Sequence, residues 1–241
     1  MNVAPGRGLT MLAGARAFIG GIAFIISTPS LWAHALVPLA ILLVLTIGLA
    51  VLGVWAVIHE IEFHSGVIGH WLLYFLASLA AVLLAGLVAF CLAQPFSAFA
   101  LNTIALAQEQ ELTGRRPHSP SLLGALLHSV LVMSIALLLG GLALALLFAL
   151  GLVCTPLLPL IVVLKLLVIG WLVAWNFLDY PFGLHGTGLK ARLHWAWRHF
   201  GAFTSFGLLW ATVMVVPGII LLFLPMGVAG ATRLVVATEA D

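Results

Sequence analysis

The sequence predicts an all-α integral membrane protein, with long transmembrane helices, proline-broken or half-penetrating helical hairpins, and a basic helix at the interface. Three observations carry that prediction. Hydrophobic residues make up 64% of the 241 positions and charged residues 7%, against about a quarter charged in an ordinary soluble domain. Apolar stretches recur at 35–58, 71–98, 122–154, 157–178 and 203–235, most of them long enough for the ~20 residues a membrane helix needs. Proline interrupts the apolar sequence at 153–160, between the third and fourth stretches, and at 215–220, within the fifth. The chain reads as one membrane domain over 1–241, and its net charge of +2 is too small to suggest nucleic-acid binding.

From the N-terminus, residues 9–26 read as a partly buried helix ending at Ser27-Thr28-Pro29. Arg7, Arg16, the apolar run 17–26 and Ala33-His34-Ala35 imitate a signal peptide with its cleavage site. Another membrane segment follows rather than a secreted domain, so the stretch is read as retained. The first span, 35–58, is closed by Glu60 and Glu62. After the second, Gln108 to Pro120 reads as a polar loop carrying Glu109, Glu111, Arg115 and Arg116.

Pro156 and Pro159 interrupt 122–178, and Pro217-Gly218 interrupts 203–235. Proline lacks an N–H and clashes with the preceding turn, and Pro-Gly is a turn signal. Each break is a kink or the tip of a hairpin, because irregular backbone at membrane depth must be satisfied by protein or water. The halves of 203–235 are short for full spans, which favours a re-entrant hairpin. Both arms of 122–178 are long enough to cross, and that choice stays open.

Residues 187–200 form a basic amphipathic helix on the helical wheel. Leu189, Leu193, Ala196, Trp197 and Phe200 make one face; Lys190, His194, Arg198 and His199 lie opposite, with Trp195 out of place and Thr187 as N-cap. Lys190, Arg192 and Arg198 make it a helix suited to the headgroup layer. These cations fall on the same side as Arg7, Arg16, Arg115 and Arg116, while 59–70 carries no lysine or arginine. The positive-inside rule then places both termini in the cytoplasm.

Few residues could carry chemistry. Asp179 ends an apolar helix, where the helix dipole disfavours a carboxylate, and Tyr180 precedes Pro181, which pushes it from helical geometry. Asp179 therefore either caps a new turn containing Pro181 or pairs with Arg115, Arg192 or Lys190; a direct transport role is the alternative. Lys165 lies inside an apolar run, ~9 Å along a helix from Pro159. It either snorkels to the interface or serves an anion pathway, since an intramembrane charge is costly without a function.

His59, Glu60, Glu62, His64 and His70 have ligand types but not the spacing of a helical zinc site. They read as a polar interfacial loop, and His34 and His128 as histidines near span ends. Cys91 and Cys154 read as small hydrophobes. No nucleophile elbow, P-loop or paired acid–base constellation is present, so neither an enzyme, a cofactor nor a bound metal is expected.

Asp179, Tyr180, Pro181, Phe182 and His185 in LDYPFGLHG, then Phe200-Gly201-Ala202, Thr204-Ser205, Pro217, Pro225 and Gly230-Ala231-Thr232, resemble the CysZ family of bacterial sulfate transport proteins. That family is related to the eukaryotic etoposide-induced membrane protein. STPSLWAHALVPL (27–39) resembles the family's first-helix junction, with Pro29 and Pro38 in register. AQPF (93–96), with Pro95 and Phe96, ahead of EQELTG resembles its Pro-Phe segment and loop. The resemblance covers nearly the whole chain.

It implies a multi-pass bacterial inner-membrane protein with interfacial and half-penetrating helices that forms homo-oligomers in the lipid bilayer. The implied function is sulfate or related oxyanion uptake supporting cysteine synthesis. Three departures stand out. Trp32, Ala33 and His34 occupy the stretch where the family carries an arginine pair, suited to bidentate oxyanion binding. Ile220 replaces a family asparagine, and Pro95 to Gly114 is about a helical turn longer. The residues expected along an anion pathway are accordingly Ser27, Trp32, His34, Lys165, Arg115 and Arg116. A non-transporting structural or regulatory protein of the same fold is the alternative.

Overall fold

The computed structural model describes residues 9–61, 67–114, 122–213 and 219–239, apart from a few side chains within those helices. Among them no strand occurs, and eight α-helices follow in order: α1 (Met11–Ser27), α2 (Trp32–Ile61), α3 (Val67–Thr113), α4 (Leu122–Val153), α5 (Leu158–Leu184), α6 (Leu189–Arg198), α7 (Phe200–Val213) and α8 (Ile219–Glu239). Single 3₁₀ turns at Pro29–Leu31 and Thr155–Leu157 join α1 to α2 and α4 to α5. Four stretches, Pro29–His59, Trp71–Ala89, Ser134–Val153 and Thr155–Leu184, are long and apolar enough to cross a membrane.

The chain divides into two compact units, 36–100 and the remainder. In the smaller, α2 and the first part of α3 run antiparallel. Tyr74 donates to the Ile58 carbonyl at 3.3 Å, and Gly53 lies opposite Ala81. Val44, Val51 and Trp55 on α2, and Trp71, Phe75 and Leu83 on α3, are exposed, as lipid-facing side chains of spanning helices would be.

In the larger unit the core is aromatic. Trp210 of α7 meets Phe18 of α1 at 4.6 Å and Phe177 of α5 at 5.4 Å between ring centroids. Small residues let the helices approach around it. A side chain at Gly207 would strike the Gly170 backbone where α7 crosses α5, and one at Gly21 would strike Met226 and Gly230 of α8.

The direction of each helix follows from its neighbours. Gly201 lies against Leu9 and Met11, and Gly14 against Ala202 and Ser205, so α7 runs parallel to α1. Gly21 lies against Met226, and Gly20 against Arg233, so α8 returns antiparallel to it. α7 starts directly after α6, and near the end of α8 Thr238 accepts a 3.0 Å hydrogen bond from Trp195 of α6. The α7–α8 excursion therefore enters and leaves at the same end. With 14 residues, α7 reaches only ~21 Å and falls short of a ~30 Å hydrocarbon core. Pro217 and Gly218, expected to form its tip, lie outside the described residues.

α4 and α5 form a second antiparallel helical hairpin, and each arm contains a stretch long and apolar enough to cross a membrane. Gly140 faces Leu172, and Gly151 faces Leu158 and Ile161. Pro156 lies in the 3₁₀ turn at the tip and Pro159 near the start of α5, where a missing N–H is harmless.

Three sequence expectations are corrected. Gln108–Thr113 is helix, not loop: Leu101, Ile104, Ala105 and Gln108 are buried, and this i, i+3, i+4, i+7 spacing continues an inward face that the polar composition hides. Asp179 and Pro181 do not stop α5, because Pro181 lies inside it and the helix continues to Leu184. The terminator is Gly186, whose φ is +61°; its N–H donates to Gly183 and that of Thr187 to Phe182, at 3.2 and 2.9 Å. This is a Schellman ending, which favours glycine. Thr187 is thereby used by α5, and Gly188 stands at the N-cap of α6 without a side-chain cap.

Candidate functional site

The junction of α5 with α6 and the end of α3 holds two ion pairs. Arg192 of α6 is buried and ion-paired to Asp179 of α5. Its Nε also donates to the Thr187 carbonyl at 2.7 Å, and its guanidinium lies 5.6 Å from the Phe182 ring centre. Of the cations named for Asp179, the structure selects Arg192. The expectation that Arg192 faces headgroups is corrected: its stripe on α6 points into the protein. Desolvating one charge so fully requires the partner that Asp179 supplies.

Trp195, out of place on the wheel, belongs to the same inward stripe. Its ring meets Phe182 at 5.4 Å and His199 at 5.0 Å. His199 Nδ1 accepts the Leu9 N–H at 2.9 Å, tying the start of α1 to α6. The surfaces of α6 left outward carry Leu193 and Trp197 beside Lys190, His194 and Arg198, all exposed. Thus α6 has three faces, for protein, apolar surroundings and polar surroundings.

A second pair joins α3 to α5: His185 Nε2 lies 3.0 Å from Glu109 Oε1, with Glu109 buried. Pro181 and Phe182 are buried between these pairs, and Tyr180 is half-buried. The quintet Asp179, Tyr180, Pro181, Phe182 and His185 is therefore a junction whose side chains clamp α3, α5 and α6.

Gly230, Ala231 and Thr232 are packing residues on α8. Gly230 abuts the Ala17 backbone of α1, Ala231 is buried, and the buried Thr232 hydroxyl donates to Val228 at 2.9 Å.

The residues expected along an anion pathway do not form one cluster. Ser27 donates to the Phe24 carbonyl at 3.1 Å and Trp32 to that of Ile25 at 2.8 Å, so both polar groups are engaged within the first-helix junction. His34 is half-buried near the start of α2, its Nδ1 without a hydrogen-bond partner among the described residues. Lys165 of α5 is half-buried, with its Nζ 5.2 Å from the ring centre of Phe148 on α4. That cation–π contact offsets part of the cost of an apolar setting. Arg115 and Arg116 lie outside the described residues, as does the side chain of Pro95. Phe96 lines a shallow depression in the smaller unit with Ala40, Ile41, Val44 and Leu45, an apolar lining with nothing to hold an anion. No group of metal-ligating side chains occurs among the described residues.

Sequence reasoning missed Glu109, Trp195 and Arg233. The periodicity of 101–108 was the available signal for Glu109, and the i, i+3 relation of Trp195 to Arg192 was the signal for that tryptophan. Arg233 is a second cation inside an apolar run, visible beside Lys165.

The family model described as sulfate transporter CysZ/etoposide-induced protein 2.4 matches residues 17–225. No curated protein gives a significant match.

Proposed function

The chain belongs to the sulfate transporter CysZ/etoposide-induced protein 2.4 family, and from that premise we propose that it passes sulfate or a related oxyanion across a bacterial inner membrane, down its gradient. It is a multi-pass, all-α membrane protein of a transporter-like family. In this reading the imported anion feeds sulfur assimilation and cysteine synthesis, and no catalytic cycle or cofactor is involved. The working form is a homo-oligomer in the lipid bilayer, with the termini and α6 at the cytoplasmic face. Family membership is the observation that carries the reading.

Lys165 is the pathway cation we assign in the α4–α5 hairpin. Its ammonium is half-buried against Phe148 and has no carboxylate partner among the described residues, so it is available to an anion. The test is uptake of labelled sulfate into liposomes holding the purified protein. Flux should exceed that of empty liposomes, and Lys165→Met should lower it about tenfold, corresponding to ~1.4 kcal/mol of lost stabilisation. Flux no greater than in empty liposomes would sink the reading.

A second reading, a non-transporting structural or regulatory protein of the same fold, is favoured by one observation. Trp32, Ala33 and His34 stand where family transporters carry arginines, and the Trp32 indole bonds its own chain. The liposome measurement separates the two.

A further inference from the structure

We propose that Arg233, seated over Gly20, is the binding residue of an oxyanion site between α1 and α8. The proposal rests on the oxyanion reading above for its ligand class, and on a different residue from the Lys165 assignment.

Arg233 lies within Phe223–Thr238, the apolar part of α8. The hydrogen bond from Trp195 fixes Thr238 at the α6 end of the unit, and Arg233, five residues earlier, lies about 7 Å farther along the helix. A charged side chain in such a segment points to a pathway or ligand before it points to stability.

The neighbouring helix is cut away to receive it. A Cβ at Gly20 would come within 2.6 Å of Arg233 Nε and 3.0 Å of its Cδ and Cζ. Any residue but glycine would displace the guanidinium. Beside the notch α1 and α8 are closely packed, through Gly230 against Ala17 and Gly21.

The contrast with Arg192 identifies what the notch lacks. Arg192 is ion-paired with Asp179 and donates to a carbonyl. Arg233 is half-buried and has no carboxylate or hydrogen-bond partner among the described residues. A guanidinium offers five donors in a planar fork, which suits two oxygens of a tetrahedral oxyanion. Free sulfate and the phosphate of a lipid headgroup share that chemistry.

The experiment uses the full-length protein in detergent. Sulfate binding is measured by titration calorimetry and by the shift in thermal midpoint, and retained phosphatidylglycerol by native mass spectrometry. Arg233→Gln should weaken the ligand about tenfold or more and abolish the shift. Arg233→Lys, which keeps the charge but not the fork, should restore binding only in part. Gly20→Ala tests the seat without touching the charge: the flexible arginine can move aside, so the fold should survive while binding falls. Loss confined to the sulfate arm assigns the site to free anion, and loss confined to the lipid arm assigns the same chemistry to a headgroup. Arg233→Gln binding both as tightly as the wild type overturns the proposal, even if liposome flux is normal. Absent flux with Arg233-dependent binding instead removes the transport reading and leaves the site.

Discussion

Asp179 is worth more to the molecule as the partner of Arg192 than as a carboxylate at a helix end. Arg192 is buried and Asp179 nearly so, and removing one member of such a pair strands the other. Asp179→Ala should therefore cost about 3–5 kcal/mol, seen as a lowered unfolding midpoint in detergent. Replacing both, as Asp179→Leu with Arg192→Met, should cost clearly less than either single change. Equal losses in single and double variants would mean that the packing of Phe182 and Trp195, rather than the charge pair, holds the junction. The aspartate and its candidate partners were legible in the sequence. The choice among Arg115, Arg192 and Lys190 was not, because it depends on where Gly186 turns the chain and hence on which face of α6 points inward.

At the level of elements, glycine rather than proline does the terminating. Pro181 reads as a helix stop, yet α5 runs through it to Leu184. Proline inside a membrane helix is tolerated where neighbouring helices compensate, so its presence alone could not mark the boundary. Gly186→Ala should destabilise by about 1 kcal/mol or somewhat more, since alanine is strained at positive φ. A midpoint unchanged from wild type would remove the role assigned to this turn. Crossings raise the stakes: Gly207→Val must push α7 away from the Gly170 backbone, an overpacking that should cost at least about 1–3 kcal/mol. The apolar windows and proline breaks in the sequence reveal the long helices and the hairpins. Helix directions escape it, because they depend on which small residues face each other, and the continuation of α3 to Thr113 is obscured by the polar composition of 108–113.

For the molecule as a whole, the arrangement makes topology testable. Leu9 at the start of α1 and Thr238 near the end of α8 are both bonded to the α6 region, so the described ends of the chain meet Lys190 and Arg198 at one polar end. If that end is cytoplasmic, as proposed from the positive-inside rule, a maleimide that cannot cross membranes should label Lys190→Cys in inside-out vesicles and not in intact spheroplasts. The background for this measurement is Cys91→Ala with Cys154→Ala. The α4–α5 tip gives a second reading. Leu152 and Val153 there are 71% and 82% exposed, and the described stretch from Ser134 to Leu164 carries no charge. Such a tip is better solvated by hydrocarbon than by water. In the single Cys91→Ala variant, native Cys154 should thus resist the polar maleimide from both sides and react with a lipid-soluble one. Labelling of Cys154 from outside would show that α4 and α5 both cross the bilayer, leaving α7–α8 as the half-depth hairpin. Labelling of Lys190→Cys from outside would invert the whole molecule, and with it the direction in which an anion entering at this end would move.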